Sequence, residues 1–489
     1  MASIAPASQQ KLHNGSKKSI TEQRVPSWKR RNTTDAPPVF KEAKTRKDNP
    51  QIPDPCLFDF RTPDQNVKTT QIPTISQCAT HLKLLSVFYQ IRRRVLNSTS
   101  LDAALGIVPA RRQVYRKVGQ ARRKTWQTVN LRDTSFQGKR QAKWPFYLLI
   151  ASVRFLKWAW TVESMDEQSS SSDAAIMLPP IDVLMVWHAL LLNPSWFESI
   201  GFKSLPRYPF PWEQINGAIN SERSTWPYNP PSASSALFVK TTLLEADLFK
   251  YLANDNHTQD FKKLMKKHSF NSSSTKPYTL LSEREIKQAL TSLPRNLVED
   301  ETIFLQTYRL AIDGKTSNTV RKLIDAVVRQ ASFVEKMENH LWIRSPAVEG
   351  TLTRAIDRYS KFLKLFRLYP SKMLVPTLDI DLVWHTHQCS AFQYNEAMMK
   401  IAGRLIDHND KLGKNALDPG FERTAALFRT RFGLEYLRCH CWDCEALLSA
   451  IQDAKSGEAV AKEVHQTVAY HRAVEIARRA GRTMLPILA

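Results

Sequence analysis

The sequence predicts a mainly α fold in which two diverged helical repeat units pack together behind a disordered N-terminal tail. Three observations carry that expectation. A ten-residue pattern occurs twice, as Pro179-Pro180-Ile181-Asp182-Val183-Leu184-Met185-Val186-Trp187-His188 and as Pro376-Thr377-Leu378-Asp379-Ile380-Asp381-Leu382-Val383-Trp384-His385. Pro, Asp, Val, Trp and His recur at a constant offset, the mark of an internal duplication. Apolar residues recur at helical spacing through most of the chain, and β-branched alternating runs are few. A length of 489 residues with 42% apolar content and 12 Trp is enough for two or three domains with a sizeable core.

Taken in order, residues 1–70 are rich in Ser, Pro, Thr, Gln and Lys and poor in apolar clusters, so they read as a disordered basic tail. The first helical unit spans 71–268. Order is expected near Ser76, which can cap a helix carrying Leu82, Leu85, Phe88, Tyr89 and Ile91 on one face. That helix ends in Arg92-Arg93-Arg94, where cations suit the helix dipole. A second helix is expected over 144–160, with Trp144, Tyr147, Leu148, Ala151, Phe155 and Trp158 facing inward. The serines at 169–172 form an insert before the first motif. Pro211 is expected at the first position of a helix that buries Ile215 and Ile219. Further helices are expected over 243–252 and 261–267.

Residues 269–335 read as a linker and connecting helices. A polar stretch at 271–276 opens it, and Ser282 with Glu285 resembles a capping box. The helix over 320–337 buries Leu323, Val327, Phe333 and Met337. The second unit, 336–448, has a helix over 352–368 that echoes the first. Phe155-Leu156-Lys157 lines up with Phe362-Leu363-Lys364. Residues 449–489 form a C-terminal helical segment.

The charge balance is strongly basic, with 70 Lys+Arg against 46 Asp+Glu and a net charge of +24. Half of that excess lies in 92–143. There Arg92, Arg93, Arg94, Arg111, Arg112, Arg116, Lys117, Arg122, Arg123 and Lys124 are joined by four more cations and opposed only by Asp102 and Asp133. Cations interleaved with Tyr115, Trp126 and Phe136 can track a phosphate backbone and stack on bases, so nucleic acid or another polyanion is the candidate partner. Six cysteines do not form a disulfide framework, no apolar signal region follows Met1, and no stretch approaches a transmembrane segment. An intracellular location, cytoplasmic or nuclear, is expected.

Two clusters could hold a metal. Asp379, Asp381, His385 and His387 lie within nine residues, with His408 as a further donor. Residues i and i+2 of an α-helix project about 200° apart, so a helical segment cannot aim His385 and His387 at one ion. The first copy has Leu184 where the second has Asp381, and Leu190 where it has His387. The shared residues Pro179, Asp182, Trp187 and His188, matched by Pro376, Asp379, Trp384 and His385, therefore read as architecture. Any site would lie in the polar additions to the second copy. The other cluster, Cys439-His440-Cys441-Trp442-Asp443-Cys444, offers three soft thiolates for zinc, with His440 as a nearby fourth donor. No phosphate-binding loop, dinucleotide fingerprint, nucleophile elbow or His-Glu-x-x-His pair occurs. The leading expectation is a non-catalytic binding or scaffold protein with a basic surface for an acidic partner; the alternative is a metal-dependent enzyme using the Asp/His motif of the second unit.

The run from Leu374 through Asp379, Asp381, Trp384, His385 and His387 to Gln388 resembles the glycine-rich domain-containing protein-like family, a domain of unknown function. His81-Leu82-Lys83-Leu84-Leu85, the first motif copy, Phe333-Val334-Glu335-Lys336-Met337 and Leu405-Ile406-Asp407-His408 support the same resemblance, which spans roughly 76–445 and looks most like the fungal branch. The resemblance implies a glycine-rich tail in plant members and an RNA-recognition motif in some. The 14 glycines here are scattered, and no aromatic RNP-type strand pattern is present.

Overall fold

The computed structural model describes residues 40–42, 52–60, 72–109, 112–119, 125–131, 133, 136–168, 178–223, 225–268, 296–310, 314–407, 414–453, 457–481 and 484–486. Most of the expected tail, the serines at 169–172, the stretch at 271–276 and the Ser282/Glu285 pair lie outside the described residues, as does His408. The fold is mainly α. No helix among the described residues is long and apolar enough to cross a membrane.

Chain order begins with α1, Ile75–Asn97, a buried helix at the centre of the molecule. Its cap is Thr74 rather than Ser76. Thr74 Oγ1 accepts from the Gln77 N–H, and the Gln77 side chain accepts from the Thr74 N–H, a reciprocal capping box. Ser76 instead donates to the Asp59 carbonyl and ties α1 to residues 52–60, where Leu57 is buried against the core. After α2, Thr99–Ala104, come α3, Phe136–Gln141, and α4, Lys143–Gln168. The first motif forms α5, Ile181–Leu191. It is followed by α6 Pro194–Ile200, α7 Trp212–Ala218, α8 Ser232–Thr242, α9 Leu248–Leu252 and α10 Gln259–His268. The helix expected over 243–252 is confined to 248–252, because α8 ends where Leu243 adopts φ 60° and Asp247 caps a new start.

The remaining helices are α11 Glu299–Leu310, α12 Gly314–His340, α13 Val348–Leu368, α14 Leu378–Cys389, α15 Ala391–Ala402, α16 Lys414–Phe432, α17 Trp442–Asp453 and α18 Gly457–Arg479. The second motif is α14. Helix α4 packs on α5 as α13 packs on α14, while α12 crosses to α4 and α5 and α1 crosses to α13 and α14. The two motif helices therefore meet across a shared core, with Ser86 of α1 donating to Glu338 of α12 at 2.8 Å.

Strands enter where few were expected. Strand β1, Phe40–Glu42, pairs antiparallel with the last strand, β4, Met484–Pro486. Between α2 and α3, β2 Arg112–Val118 and β3 Thr125–Leu131 form an antiparallel hairpin inside the basic block. Val114 and Val118 share one face with Val129, and Tyr115 shares the other with Trp126 and Thr128, an alternation that suits a strand pair. Its cations sit in the same alternation and hide the pattern.

Candidate functional site

Each motif helix starts on a buried arginine. In the first, Arg154 of α4 donates through Nε to Asp182 at 2.6 Å, and its other nitrogens reach the carbonyls of Glu245 at 2.7 Å and Ala246 at 3.1 Å. In the second, Arg358 of α13 donates through Nε to Asp379 at 2.7 Å and reaches the carbonyls of Glu435 at 3.2 Å and Tyr436 at 2.7 Å. The guanidiniums also lie over Phe238 and Phe428, at 5.0 and 5.5 Å from the ring centroids. Aspartate, two consecutive carbonyls and an aromatic ring thus recur around both arginines. Arg154 corresponds to Arg358, so Trp158 corresponds to Phe362. The sequence alignment of Phe155 with Phe362 is one helical turn out of step.

The motif tryptophans follow the same plan. Trp187 packs on Trp158 at 5.1 Å and Phe210 at 5.0 Å; Trp384 packs on Phe362 at 5.8 Å and Phe366 at 5.6 Å. Their polar ends differ. Trp384 Nε1 donates to the Tyr394 hydroxyl at 2.8 Å, which donates on to the Ile406 carbonyl at 2.6 Å. The Trp187 N–H has no partner among the described residues.

A histidine of α1 bridges the two motif helices. His81 of α1 is fully buried, with Nε2 2.9 Å from His188 Nε2 and Nδ1 2.8 Å from Thr386 Oγ1. Thr386 spends its single proton on the Leu382 carbonyl at 2.7 Å. His81 must therefore donate from Nδ1 and accept at Nε2, and His188 must carry its proton on Nε2. A neutral relay results. Burial, then the neighbouring His188 and His385, pull His81 well below the usual imidazole range. Burial, then His385, pull His188 down to about 3.

The expected metal donors of the second motif take separate partners. His385 Nε2 lies 3.5 Å from Asp381, and its ring meets Phe333 edge-on at 4.4 Å. His387 Nδ1 lies 2.9 Å from the Tyr359 hydroxyl. Asp379 faces Arg358, Thr377 and His440, the last at 3.4 Å. Burial works against the Asp379 charge, but His440 and Arg358 beside it hold its carboxyl below the usual range.

Cys439, Cys441 and Cys444 do converge. Their sulfurs all lie within 4.8 Å of one another, positioned to coordinate a metal ion. Mutual hydrogen bonding, led by Cys439, raises the Cys444 thiol. His440 turns away, its two nitrogens directed at Asp379 and at Glu445, 3.2 Å distant. The fourth donor read from the sequence is thus engaged elsewhere. The loop is pinned by two tryptophans in reciprocal fashion: Trp342 Nε1 donates to the His440 carbonyl and Trp442 Nε1 to the His340 carbonyl, each at 2.8 Å.

Of the basic block, Arg111, Arg122, Arg123 and Lys124 lie outside the described residues, and of Arg112 only the backbone is described. Arg116 and Lys117 sit on β2. Tyr115 and Trp126 stack 5.3 Å apart at 16°, and Lys117 Nζ lies 5.5 Å from the Trp126 ring centroid. Both aromatics are more than half exposed, Tyr115 at 66% and Trp126 at 54%. Arg92, Arg93 and Arg94 lie near the end of α1, with Arg94 3.9 Å over the Phe249 ring.

Against known proteins, residues 254–397 match the model of the glycine-rich domain-containing protein-like family. That stretch holds α14 with its Asp379, Trp384 and His385. Over those residues the chain is similar to the glycine-rich domain-containing protein-like family. It is 26% identical over 287 residues to glycine-rich domain-containing protein 1 of Arabidopsis thaliana, a match covering 57% of this chain and 28% of that protein. It is 38% identical over 128 residues to glycine-rich domain-containing protein 2 of the same plant, covering 24% and 16%. The chain thus spans less than a third of either curated relative. No solved structure matches it. Sequence reasoning missed Arg154, Arg358 and the bridging role of His81. A signal was present for Arg154, a cation in the apolar part of the helix before its motif, whereas Arg358 stands among other charges of α13.

Proposed function

We propose that this chain belongs to the glycine-rich domain-containing protein-like family and is a non-catalytic binding protein that holds a single-stranded polyanion on the β2–β3 hairpin. One observation carries the reading: Tyr115 and Trp126 stack in the open beside Lys117, on an exposed strand pair within the most basic part of the chain. An aromatic platform offered to water, flanked by cations, suits stacked bases and phosphates. The duplicated motif fits a supporting role in this reading: two copies of one ancestral unit, each begun on an arginine clamp, carry the hairpin without lending it chemistry. Binding would be electrostatic, so affinity for a single-stranded oligonucleotide should fall steeply between 50 and 200 mM salt, by about tenfold or more for two or three phosphate contacts. Fluorescence anisotropy with single-stranded RNA and DNA tests this. Absence of binding at low ionic strength would sink it.

The convergence of Cys439, Cys441 and Cys444 supports a second component, a structural zinc that fastens the start of α17. The three thiolates would supply three positions, and the fourth would be taken by a group other than His440. Elemental analysis of gently purified protein tests it: one equivalent of zinc supports the reading, and none counts against it.

A further inference from the structure

A second binding place lies away from the hairpin. At the end of α1, a cleft of about 850 Å³ opens between α1, α4, the start of α5 and residues 225–249. Arg93 and Arg94 stand at its rim. Its wall carries Tyr147 and Trp226, both buried. The Tyr147 side chain is 2% exposed and its ring stacks on Trp144 at 5.8 Å. The Trp226 N–H has no hydrogen-bond partner among the described residues. A buried indole N–H without a partner is costly to keep in a folded protein, by about 1–3 kcal/mol.

The cations at this cleft are Arg93 and Arg94. Two carboxylates also reach it, and both are already committed: Asp182 to Arg154, and Asp247 to the Lys250 N–H as the cap of α9. Tyr147, Trp226, Tyr228 and Phe249 supply aromatic lining beside the neutral side chains of Gln90, Asn97 and Asn229. Arginine pairs match the oxygens of a phosphate in planar, bidentate fashion. The volume falls within the range of small-molecule sites and exceeds what an inorganic anion needs.

We infer that this cleft binds a small phosphate monoester with an aromatic body, the phosphate at Arg93 and Arg94 and the ring against the Tyr147 and Trp226 wall. The site is independent of the hairpin and of the reading given for it. It gives Arg93 and Arg94, which stand on α1 and not on the strand that holds Arg116 and Lys117, a role of their own.

The test is calorimetric titration of the full chain with phenyl phosphate and with AMP, against inorganic phosphate, adenosine and benzoate. Saturable binding of both monoesters, about tenfold or more tighter than inorganic phosphate or adenosine, is expected. The Arg93→Gln/Arg94→Gln double variant should lose about tenfold or more in affinity, and Tyr147→Phe about threefold to tenfold. Since Arg94 also packs on Phe249, thermal melting checks that the double variant is folded. Ser235→Trp, which fills the cleft from α8, gives a second route and should abolish binding. Tyr115→Ala/Trp126→Ala should leave monoester binding intact. No saturable binding of either monoester up to millimolar concentration, or unchanged affinity in the arginine or Ser235→Trp variants, would overturn the inference. Benzoate binding as tight as phenyl phosphate would overturn the phosphate assignment.

Discussion

Replacing Arg358 by Met probes the clamp beneath the second motif. The guanidinium is 2% exposed and the Asp379 carboxylate 4%, so neither charge has water to fall back on. Methionine fills much of the volume and removes every donor. Asp379 then keeps only Thr377 Oγ1 and His440 as partners, and the Glu435 and Tyr436 carbonyls lose the cation that bound them. Stranding one partner of a buried ion pair costs about 3–5 kcal/mol. Arg154→Met should cost a similar amount, because Arg154 makes the corresponding contacts to Asp182, Glu245 and Ala246. Urea denaturation followed by circular dichroism measures both. The double variant Arg358→Met/Asp379→Asn should recover part of the loss, with a coupling of about 1–3 kcal/mol. A cost below about 1 kcal/mol for Arg358→Met, or strict additivity in the double variant, would refute the clamp.

Further outcomes are expected. The His81–His188 relay must stay neutral in the fold. An unfolded histidine takes up a proton below about 6.5, whereas His188 resists until about 3, so acidification through that window favours the unfolded state by about 2 kcal/mol at pH 5. Glu338 works in the opposite direction, because burial raises its carboxyl to about 7. The readout is therefore the difference: His188→Gln should lose stability less steeply than wild type between pH 6.5 and 4, and parallel pH profiles would refute the relay. If zinc is bound at the three cysteines, chelation should lower the melting temperature, and Cys444→Ser should abolish that response. The reciprocal tryptophan bonds already pin the loop, so Trp442→Phe should destabilise by about 1 kcal/mol with or without chelator, tested by thermal melting.

The long helices and the motif starts were legible because apolar periodicity and Pro-led caps are local signals. The α4 face of Trp144, Tyr147, Ala151, Phe155 and Trp158 was read directly from spacing. So was the convergence of the three cysteines, since six residues cannot carry them far apart. Other features depend on distance along the chain. Arg154 and Arg358 find carbonyls about 80–90 residues onward, which no periodicity reveals. Without those anchors the repeat was aligned through Phe155 and Phe362 and slipped by one turn. The β2–β3 hairpin was hidden because its alternation runs through lysine and arginine, and charge read as a solvated face masked strand propensity. Thr74 displaced Ser76 as the cap of α1 because Gln77 lies three residues after Thr74, and Ser76 was needed to hold Asp59.

The hairpin is the point on which the functional account rests. Anisotropy titration of a labelled single-stranded oligonucleotide against wild type and Tyr115→Ala/Trp126→Ala, at fixed low salt, addresses it directly. The variant keeps every cation and loses the stacking platform, so the account predicts at least about tenfold weaker binding with an unchanged salt slope, at 1–3 kcal/mol per stacked base. Equal affinity of the two proteins would contradict it.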